Sequence, residues 1–327
     1  MISFLRKITF SILLAGSMAA CGTKQPQPSN TGNAIYYWRT TFALDSIERD
    51  FLQRHNIERI YLRMFDVAAE LNPETDGYEA VPIATTRFPD DNDESAQTVP
   101  EGIEIVPTVY ITLDALRTMQ GEEAKYAELM VERLRAMASY NKCGKIREMQ
   151  FDCDWTASTR ASFVKLCSVA RERLHADTIA LSATIRLHQL AEKAPPVDCG
   201  VLMLYNTGAL KNPDTHNSIL DIKDVRPYLR KRKCNIPLGY AYPTFGWGVR
   251  FHDGKFQRIV SRPEVESLDD GDTIRIERPT ADEILEVKSL VEKELGLPSH
   301  RNILYHLDNE QLKYYTDDEI TKIYARR

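Results

Sequence analysis

Short apolar segments recur eight times along the chain, and most of them end in polar or aromatic residues. In residues 59–67, for example, Ile60 and Leu62 lie on one face and Tyr61 and Arg63 on the other. This period of two is typical of β-strands, because successive side chains point to opposite faces of a sheet. Strands are therefore predicted at residues 34–39, 59–67, 103–111, 148–156, 178–186, 201–206, 236–242 and 302–308.

Segments with helical spacing of apolar residues separate these strands. Such spacing predicts helices over about residues 122–139, 158–175 and 225–231. A capping box, in which Ser, Thr or Asp precedes Glu by three positions, marks the start of three further helices. These boxes are Asp45 with Glu48, Thr280 with Glu283, and Thr316 with Glu319.

Eight strand–helix alternations in one chain predict the α/β class and a single-domain (β/α)8 TIM barrel over residues 34–327. Two insertions are expected, one after strand 2 at residues 68–102 and one after strand 7. In the second insertion, Asp253-Gly254 fits the type I′ turn of a β-hairpin. A doubly wound sheet is the alternative, but the strand count and the polar strand ends favour a closed barrel.

The N-terminal segment has the pattern of a secretory signal. Arg6 and Lys7 precede an apolar run, and small residues then lead to Cys21, as in a bacterial lipobox. The run is shorter than the about 20 residues that a membrane-spanning helix needs. We expect a signal peptide at residues 1–20, a lipidated Cys21 and a flexible tether at residues 21–33. The lipid would anchor the protein in the bacterial cell envelope. The outer membrane is favoured, and the face of that membrane is left open.

Composition argues against several classes of partner and cofactor. The net charge is −5 and no basic stripe is present, so the electrostatic footprint of a nucleic-acid-binding protein is missing. No glycine-rich nucleotide-binding motif occurs, and no cofactor is predicted. No cysteine pair has CxxC spacing, and His306 with Asp308 are too few ligands for a metal site, so no metal is predicted. A Cys199–Cys234 disulfide is a hypothesis, because each cysteine precedes one of two adjacent predicted strands.

The fourth predicted strand carries the most unusual chemistry. Its alternation places Gln150, Asp152, Asp154 and Thr156 on one face, opposite the apolar face that contains Phe151. Two carboxylates this close repel each other, so at least one needs a cationic partner or a raised pKa. A polar inner face suits a barrel strand that ends in a site, whereas the simpler alternative is an acidic strand end that caps a loop.

The residues Phe-Asp-Cys-Asp-Trp-Thr at 151–156 resemble the Asp-Gly-x-Asp-x-Asp-x-Glu strand of family 18 glycoside hydrolases, the chitinase-like barrels. Asp152 and Asp154 match the second and third aspartates of that motif. Met149 replaces the first aspartate, and Thr156 stands where the family has its proton-donating glutamate. The resemblance therefore implies a divergent, glycosidase-like barrel that lacks the usual acid.

A second stretch, Met203-Leu204-Tyr205-Asn206, resembles the Met-x-Tyr-Asp motif of the same family, with Asn206 in place of the aspartate. In that family the tyrosine and aspartate hold the acetamido group of the substrate, which itself attacks the anomeric carbon. Residues 236–240 also resemble the seventh strand of the family. The resemblance implies an oligosaccharide or a related polar molecule as the ligand.

Barrel enzymes form their sites at the C-terminal ends of the strands. The candidate catalytic residues there are Asp152 and Asp154. The candidate substrate-binding residues are Trp38, Arg63, Asp66, Arg186, Tyr205, Asn206, Tyr240, Tyr242, Asp308 and Glu310. Arg39, Tyr110 and His306 also lie at predicted strand ends. Aromatic rings, carboxylates and arginines together suit a sugar, although each residue alone is as often a core residue or a partner of a neighbouring charge.

Three hypotheses follow for the function. The first is a glycoside hydrolase whose general acid is one of four carboxylic acids at the strand ends. These are Asp154, Asp66, Asp308 and Glu310. The second is a catalytically inactive, glycan-binding surface lipoprotein. The third is a scaffold or partner-binding lipoprotein whose strand-end polar groups satisfy one another, for instance Arg63 with Asp152.

Overall fold

The computed structural model describes residues 32–89, 99–230, 232–299 and 301–326. The predicted signal peptide, Cys21 and the tether up to residue 31 lie outside the described residues. No helix within the described residues is both long enough and apolar enough to cross a membrane.

Strands and helices alternate along the described residues. The strands are β1 (Asn33–Tyr37), β2 (Ile57–Asn72), β3 (Gly77–Ile83), β4 (Glu104–Ile111), β5 (Glu148–Cys153), β6 (Ala180–Arg186), β7 (Cys199–Met203), β8 (Leu238–Pro243), β9 (Trp247–His252), β10 (Lys255–Val260), β11 (Asp272–Glu277) and β12 (Asn302–Tyr305). The helices are α1 (Ser46–Arg54), α2 (Leu113–Thr118), α3 (Glu123–Tyr140), α4 (Arg160–His175), α5 (Ile222–Leu229), α6 (Ala281–Leu295), α7 (Asn309–Leu312) and α8 (Asp317–Tyr324). Short 3₁₀ turns lie at Leu187–Ala191 and Pro263–Val265.

Eight parallel strands close into a barrel. Their order around the barrel is β1, β12, β8, β7, β6, β5, β4 and β2, and the ring closes because β1 also pairs with β2. The predicted TIM barrel is thus confirmed, including its insertions after the second and seventh barrel strands. All three predicted capping boxes form and open α1, α6 and α8.

The lower part of the barrel interior is charged. On β2, Arg59 donates from Nη1 to Glu148 Oε2 at 2.5 Å and from Nη2 to Glu104 Oε2 at 2.7 Å. All three side chains are almost fully buried. A buried ion pair persists only if its charges are well matched, because removing either one leaves the other without compensation.

The middle of the barrel interior is polar and aromatic. The Tyr36 hydroxyl donates to Gln150 Oε1 at 2.8 Å, and Gln150 Nε2 donates to Ser182 Oγ at 3.3 Å. The Tyr36 ring stacks on Tyr61 with 4.9 Å between the ring centroids. These contacts fill the barrel and leave the strand ends above them as the place where a ligand can enter.

The outer face of β5 packs against helix α4. Phe151 and Cys153 are fully buried, and the Trp155 ring stacks on Phe163 of α4 at 6.2 Å. The predicted alternation of β5 is therefore confirmed: its polar side chains point into the barrel and its apolar side chains point outward.

The insertion after β2 contains a β-hairpin that the sequence analysis did not predict. Strand β2 continues beyond the barrel to Asn72 and pairs in antiparallel fashion with β3. Residues 68–83 carry no clean apolar alternation because both faces of this hairpin are largely exposed. Exposed strands lack the half-buried pattern on which a sequence-based strand prediction depends.

The insertion after β8 is a three-stranded antiparallel sheet in the order β10, β9, β11. Asp253 and Gly254 have φ values of 47° and 73°, as a type I′ turn requires, and they join β9 to β10 as predicted. Strand β11 was not predicted.

The hypothesis of a Cys199–Cys234 disulfide is wrong. Both cysteines are buried free thiols. Cys199 begins β7 within reach of the charges of Glu148 and Arg59 inside the barrel, whereas Cys234 lies in the connection before β8, where its N–H donates to Leu190 O. Proximity of two strands does not align cysteine side chains, which must also point toward each other.

Replacement of Arg59 by methionine is expected to destabilise the fold by about 3–5 kcal/mol, because it leaves the Glu148 carboxylate buried without its cation. Urea unfolding followed by circular dichroism measures the change. The matched control is Arg117→Met, which removes an exposed ion pair with Asp114 and should cost no more than about 1 kcal/mol. Equal losses in the two variants would contradict the role of the interior charges.

Candidate functional site

The Arg186 guanidinium joins the two carboxylates of the acidic strand. Arg186 ends β6, the neighbour of β5, and its Nε donates to Asp154 Oδ1 while Nη2 lies 3.4 Å from Asp152 Oδ1. Asp152 also accepts from Thr184 Oγ1 at 2.5 Å. The predicted repulsion between the two carboxylates is thus relieved by a cation from the adjacent strand.

The side chains of the two aspartates differ in their exposure to solvent. The Asp152 side chain is only 3% exposed, whereas that of Asp154 is 42% exposed. Burial raises the pKa of Asp152, and Arg186 opposes that rise. Burial alone would lower the pKa of Arg186, but Tyr205 and the two carboxylates raise it well above its usual range. Asp154 is therefore the carboxylate of the pair that a ligand can contact.

A cleft of about 220 Å³ opens beside this cluster. Its lining residues are Asp154, Arg186, Leu187, His188, Tyr205, Asn206, Thr207 and Tyr228. The Arg186 guanidinium lies over the Tyr205 ring, 5.3 Å from its centroid. Asn206 is an exposed lining residue whose backbone has a φ of 55°. The two motifs singled out in the sequence thus meet in one cleft.

Thr156 forms part of a turn. Its N–H donates to Thr159 Oγ1 at 3.0 Å, and its hydroxyl lies 3.0 Å from Ser158 Oγ. These contacts build the start of α4. No carboxyl group stands at the position where the resemblance places the acid.

Aromatic rings form a floor across the strand ends. Tyr305 of β12 is central, with ring centroids 4.7 Å from Tyr205, 5.8 Å from Trp38 and 5.8 Å from Phe245. The predicted residues Trp38 and Tyr205 therefore belong to one aromatic cluster, in which Trp38 is half-buried and Tyr205 is buried. Tyr305 and Phe245 were missed, although Tyr305 lies within a predicted strand and only the register of that strand decides that it faces inward.

Arg63 and Asp66 form an ion pair at the edge of this floor. Arg63 Nε and Nη2 donate to the two oxygens of Asp66 at 2.7 and 2.5 Å, so Arg63 does not neutralise Asp152. Regular alternation would place Arg63 and Asp66, three residues apart, on opposite faces of the strand. A bulge between Arg63 and Phe65 shifts the register against β4 and brings Asp66 to the inner face. The guanidinium also lies 5.9 Å from the centre of the Trp38 ring.

Tyr240 and Tyr242 lie away from the cleft, contrary to their predicted placement. They share a face of β8 that is turned toward α6, where the Tyr240 hydroxyl donates to Gly296 O at 2.8 Å. The Tyr242 hydroxyl is buried with no hydrogen-bond partner among the described residues. Phe245 is an odd number of residues away from both tyrosines, so it lies on the other side of the chain and contacts Tyr305. A shift of one residue in register exchanges the two faces of a strand.

The last two predicted carboxylates belong to the α7 segment. Asp308 caps α7 by accepting from the Glu310 N–H at 2.9 Å. Glu310 is exposed and pairs with Lys313, which lowers the pKa of the Glu310 carboxyl.

Of the other strand-end residues, Arg39 pairs with Glu48 of α1. Burial and the two site aspartates raise the pKa of Tyr110 to about 12.

Within the described residues, no group of three or more histidine, cysteine, aspartate or glutamate side chains is placed to hold a metal ion.

No family model matches the chain, and no curated protein matches it.

Solved chitinases and chitinase-like proteins have the same fold. A chitinase from Chromobacterium violaceum aligns with a TM-score of 0.58 at 12% identity, over 91% of this chain and 100% of that one. The spore cortex-lytic enzyme SleL of Bacillus cereus aligns at 0.56 and 14% identity, over 90% and 75% of the two chains. The chitinase-like agglutinin of Robinia pseudoacacia aligns at 0.54 and 10%, over 90% and 100%. The chain therefore has the TIM-barrel fold of these solved chitinases and chitinase-like proteins, at low sequence identity.

The free energy of unfolding should depend on pH through His306. Burial lowers its pKa from 6.5 to about 4, and the charge of Asp308 opposes this only in part. Between these pH values the unfolded chain binds a proton that the folded chain does not, so stability should fall by about 1–3 kcal/mol as the pH drops from 6.5 to 4. Thermal unfolding across this range measures the loss. His306→Gln should remove that part of the slope, and an unchanged slope would contradict the assignment.

Proposed function

We propose that the protein binds an oligosaccharide at the C-terminal ends of its barrel strands and does not cleave it. Arg186 carries this proposal, because it holds Asp154 in an ion pair beside Tyr205 at the cleft. The cleft then offers a charge-paired carboxylate, a guanidinium and aromatic faces, which are groups that bind sugar hydroxyls and C–H surfaces.

A general acid must hold a proton beside the leaving oxygen, and each of the four candidate acids is instead engaged as an acceptor. Asp154 accepts from Arg186 and Asp66 accepts from Arg63. Asp308 accepts from a backbone N–H at the start of α7, and Glu310 accepts from Lys313. Thr156 supplies no carboxyl group. These partners favour binding over cleavage.

The class of ligand follows from the aromatic floor together with the fold. Among the proteins with this fold are a chitinase, a cortex-lytic enzyme and an agglutinin. The fold alone is thus compatible with an enzyme and with an agglutinin. The half-buried Trp38 supplies a stacking surface for a sugar, and the buried Tyr205, whose ring lies beneath the Arg186 guanidinium, lines the cleft.

A lipid anchor at Cys21 fits this arrangement and remains part of the proposal. Strand β1 begins at Asn33, at the end of the barrel opposite the cleft. An anchor joined there by a short tether would hold that end near the membrane of the cell envelope and turn the cleft away from it.

In a glycan panel recorded for both binding and release of reducing ends, the wild-type protein should bind at least one oligosaccharide and release none. Asp154→Asn should weaken binding by about tenfold, because it removes an acceptor that carries charge. Calorimetry measures the affinity. Tyr140→Ala, which changes an exposed aromatic residue on α3 outside the cleft, is the control.

Release that disappears in Asp154→Asn would overturn this proposal in favour of a hydrolase. Absence of any binding by the wild-type protein would favour a scaffold. Binding that survives Trp38→Ala and Tyr205→Ala unchanged would show that the sugar does not use this floor.

A further inference from the structure

The charged side chains at the cleft differ in how far a ligand can reach them. The Asp154 side chain is 42% exposed, whereas that of Arg186 is 16% exposed and that of Asp152 is 3% exposed. The Arg186 guanidinium lies over the buried Tyr205 ring and donates from Nε to Asp154. A ligand in the cleft therefore meets the Asp154 carboxylate more readily than the guanidinium.

These three side chains also carry more negative than positive charge. Arg186 donates to Asp154 and lies beside Asp152, so one guanidinium faces two carboxylates. Burial raises the pKa of Asp152, but Arg186 and the hydrogen bond from Thr184 Oγ1 both favour its ionised form. One negative charge of the three side chains is therefore left unbalanced.

The other strand-end arginines do not supply the missing positive charge. Arg63 donates to both oxygens of Asp66, and Arg39 pairs with the buried Glu48. Each of these pairs is neutral by itself, and neither arginine lines the cleft. The second basic side chain among the lining residues is that of His188, which is exposed.

The lining residues offer acceptors that suit an ammonium group. Asp154 accepts from Arg186 through Oδ1, which leaves its Oδ2 available to a ligand. Asn206 and Tyr228 are exposed lining residues, and each carries a side-chain oxygen that can accept a hydrogen bond. An ammonium group has three N–H donors and no acceptor, and its hydrogen bonds to a carboxylate are stronger than those between neutral groups.

A sugar acid would meet the opposite situation. Its carboxylate would lie beside that of Asp154, and two like charges at close range disfavour binding. The guanidinium that could offset this repulsion already faces Asp152 and Asp154. The cleft therefore discriminates between sugars by their charge.

We propose that the ligand of the cleft is a cationic sugar, one that carries a protonated amino group without an acetyl substituent, and that Asp154 selects it. The inference rests on the proposed function and adds the charge of the ligand. Neutral sugars, including N-acetylated ones, bind more weakly because they leave the exposed carboxylate without a cation. Sugar acids bind more weakly still.

Calorimetry on the purified protein tests this with three β-1,4-linked oligomers of equal length, built from glucosamine, N-acetylglucosamine or mannuronic acid. At a pH at which the amines are protonated, the glucosamine oligomer should bind about fivefold more tightly than the N-acetylated one. The mannuronic acid oligomer should bind more weakly than both. Added salt should reduce the preference for glucosamine, because the attraction involves an exposed charge. These comparisons need no variant of the protein.

Variants assign the preference to Asp154. Asp154→Asn should cost the glucosamine oligomer about tenfold and the N-acetylated oligomer about twofold, so that the preference disappears. Asp154→Glu, which keeps the charge, should retain it. The matched control is Asp50→Asn, which removes an exposed carboxylate on α1 and should leave the preference unchanged. His188→Gln should keep or enlarge it, because a protonated imidazole repels a cation. Thermal unfolding verifies that each variant is folded.

Equal affinities for the glucosamine and N-acetylated oligomers, or tighter binding of mannuronic acid, would overturn the inference and leave the proposed function intact. A preference that falls equally in Asp154→Asn and Asp50→Asn would do the same, because it would reflect only the acidic net charge of the protein. So would binding of another glycan of the panel but of none of these three oligomers. If the wild type binds no oligosaccharide at all, the proposed function fails together with the inference.

Discussion

The site depends on one arginine shared by two carboxylates. Asp152 at the end of β5 and Asp154 just beyond it face the same way, so at least one of the two charges needs compensation there. Arg186 supplies it from the adjacent strand β6, where its guanidinium also covers Tyr205. Arg186 and Asp154 line the cleft together, whereas Asp152 is buried beneath it.

The same interaction bears on chemistry. Glycoside hydrolysis needs a protonated carboxyl group beside the leaving oxygen, whereas the four candidate acids at the strand ends all accept hydrogen bonds from N–H groups. What stays at the strand ends is a charge-paired, aromatic surface. Under the proposed function this surface binds a sugar by stacking and hydrogen bonding, neither of which needs a proton to be delivered.

The barrel around the site is stabilised by polar contacts at several levels. Arg59 with Glu148 lies near the bottom, Tyr36 with Gln150 lies in the middle, and the Arg186 cluster lies at the top. Each level pairs groups from different strands, so the strand register and the polar interior fix one another. In the insertion after β8, the buried Glu277 carboxylate accepts from Trp247 Nε1 and from Ser218 Oγ, which joins the inserted sheet to the connection after β7.

The sequence by itself determined the barrel class, all three capping boxes, the hairpin turn at Asp253-Gly254 and the inward face of β5, because each depends on local periodicity or short spacing. It also brought Asp154, Arg186, Tyr205 and Trp38 to the strand ends. Only the tertiary structure decided which charges pair and which tyrosines face inward. The bulge near Arg63 and the register of β8 reverse strand faces, and both arise from pairing with neighbouring strands rather than from the local sequence.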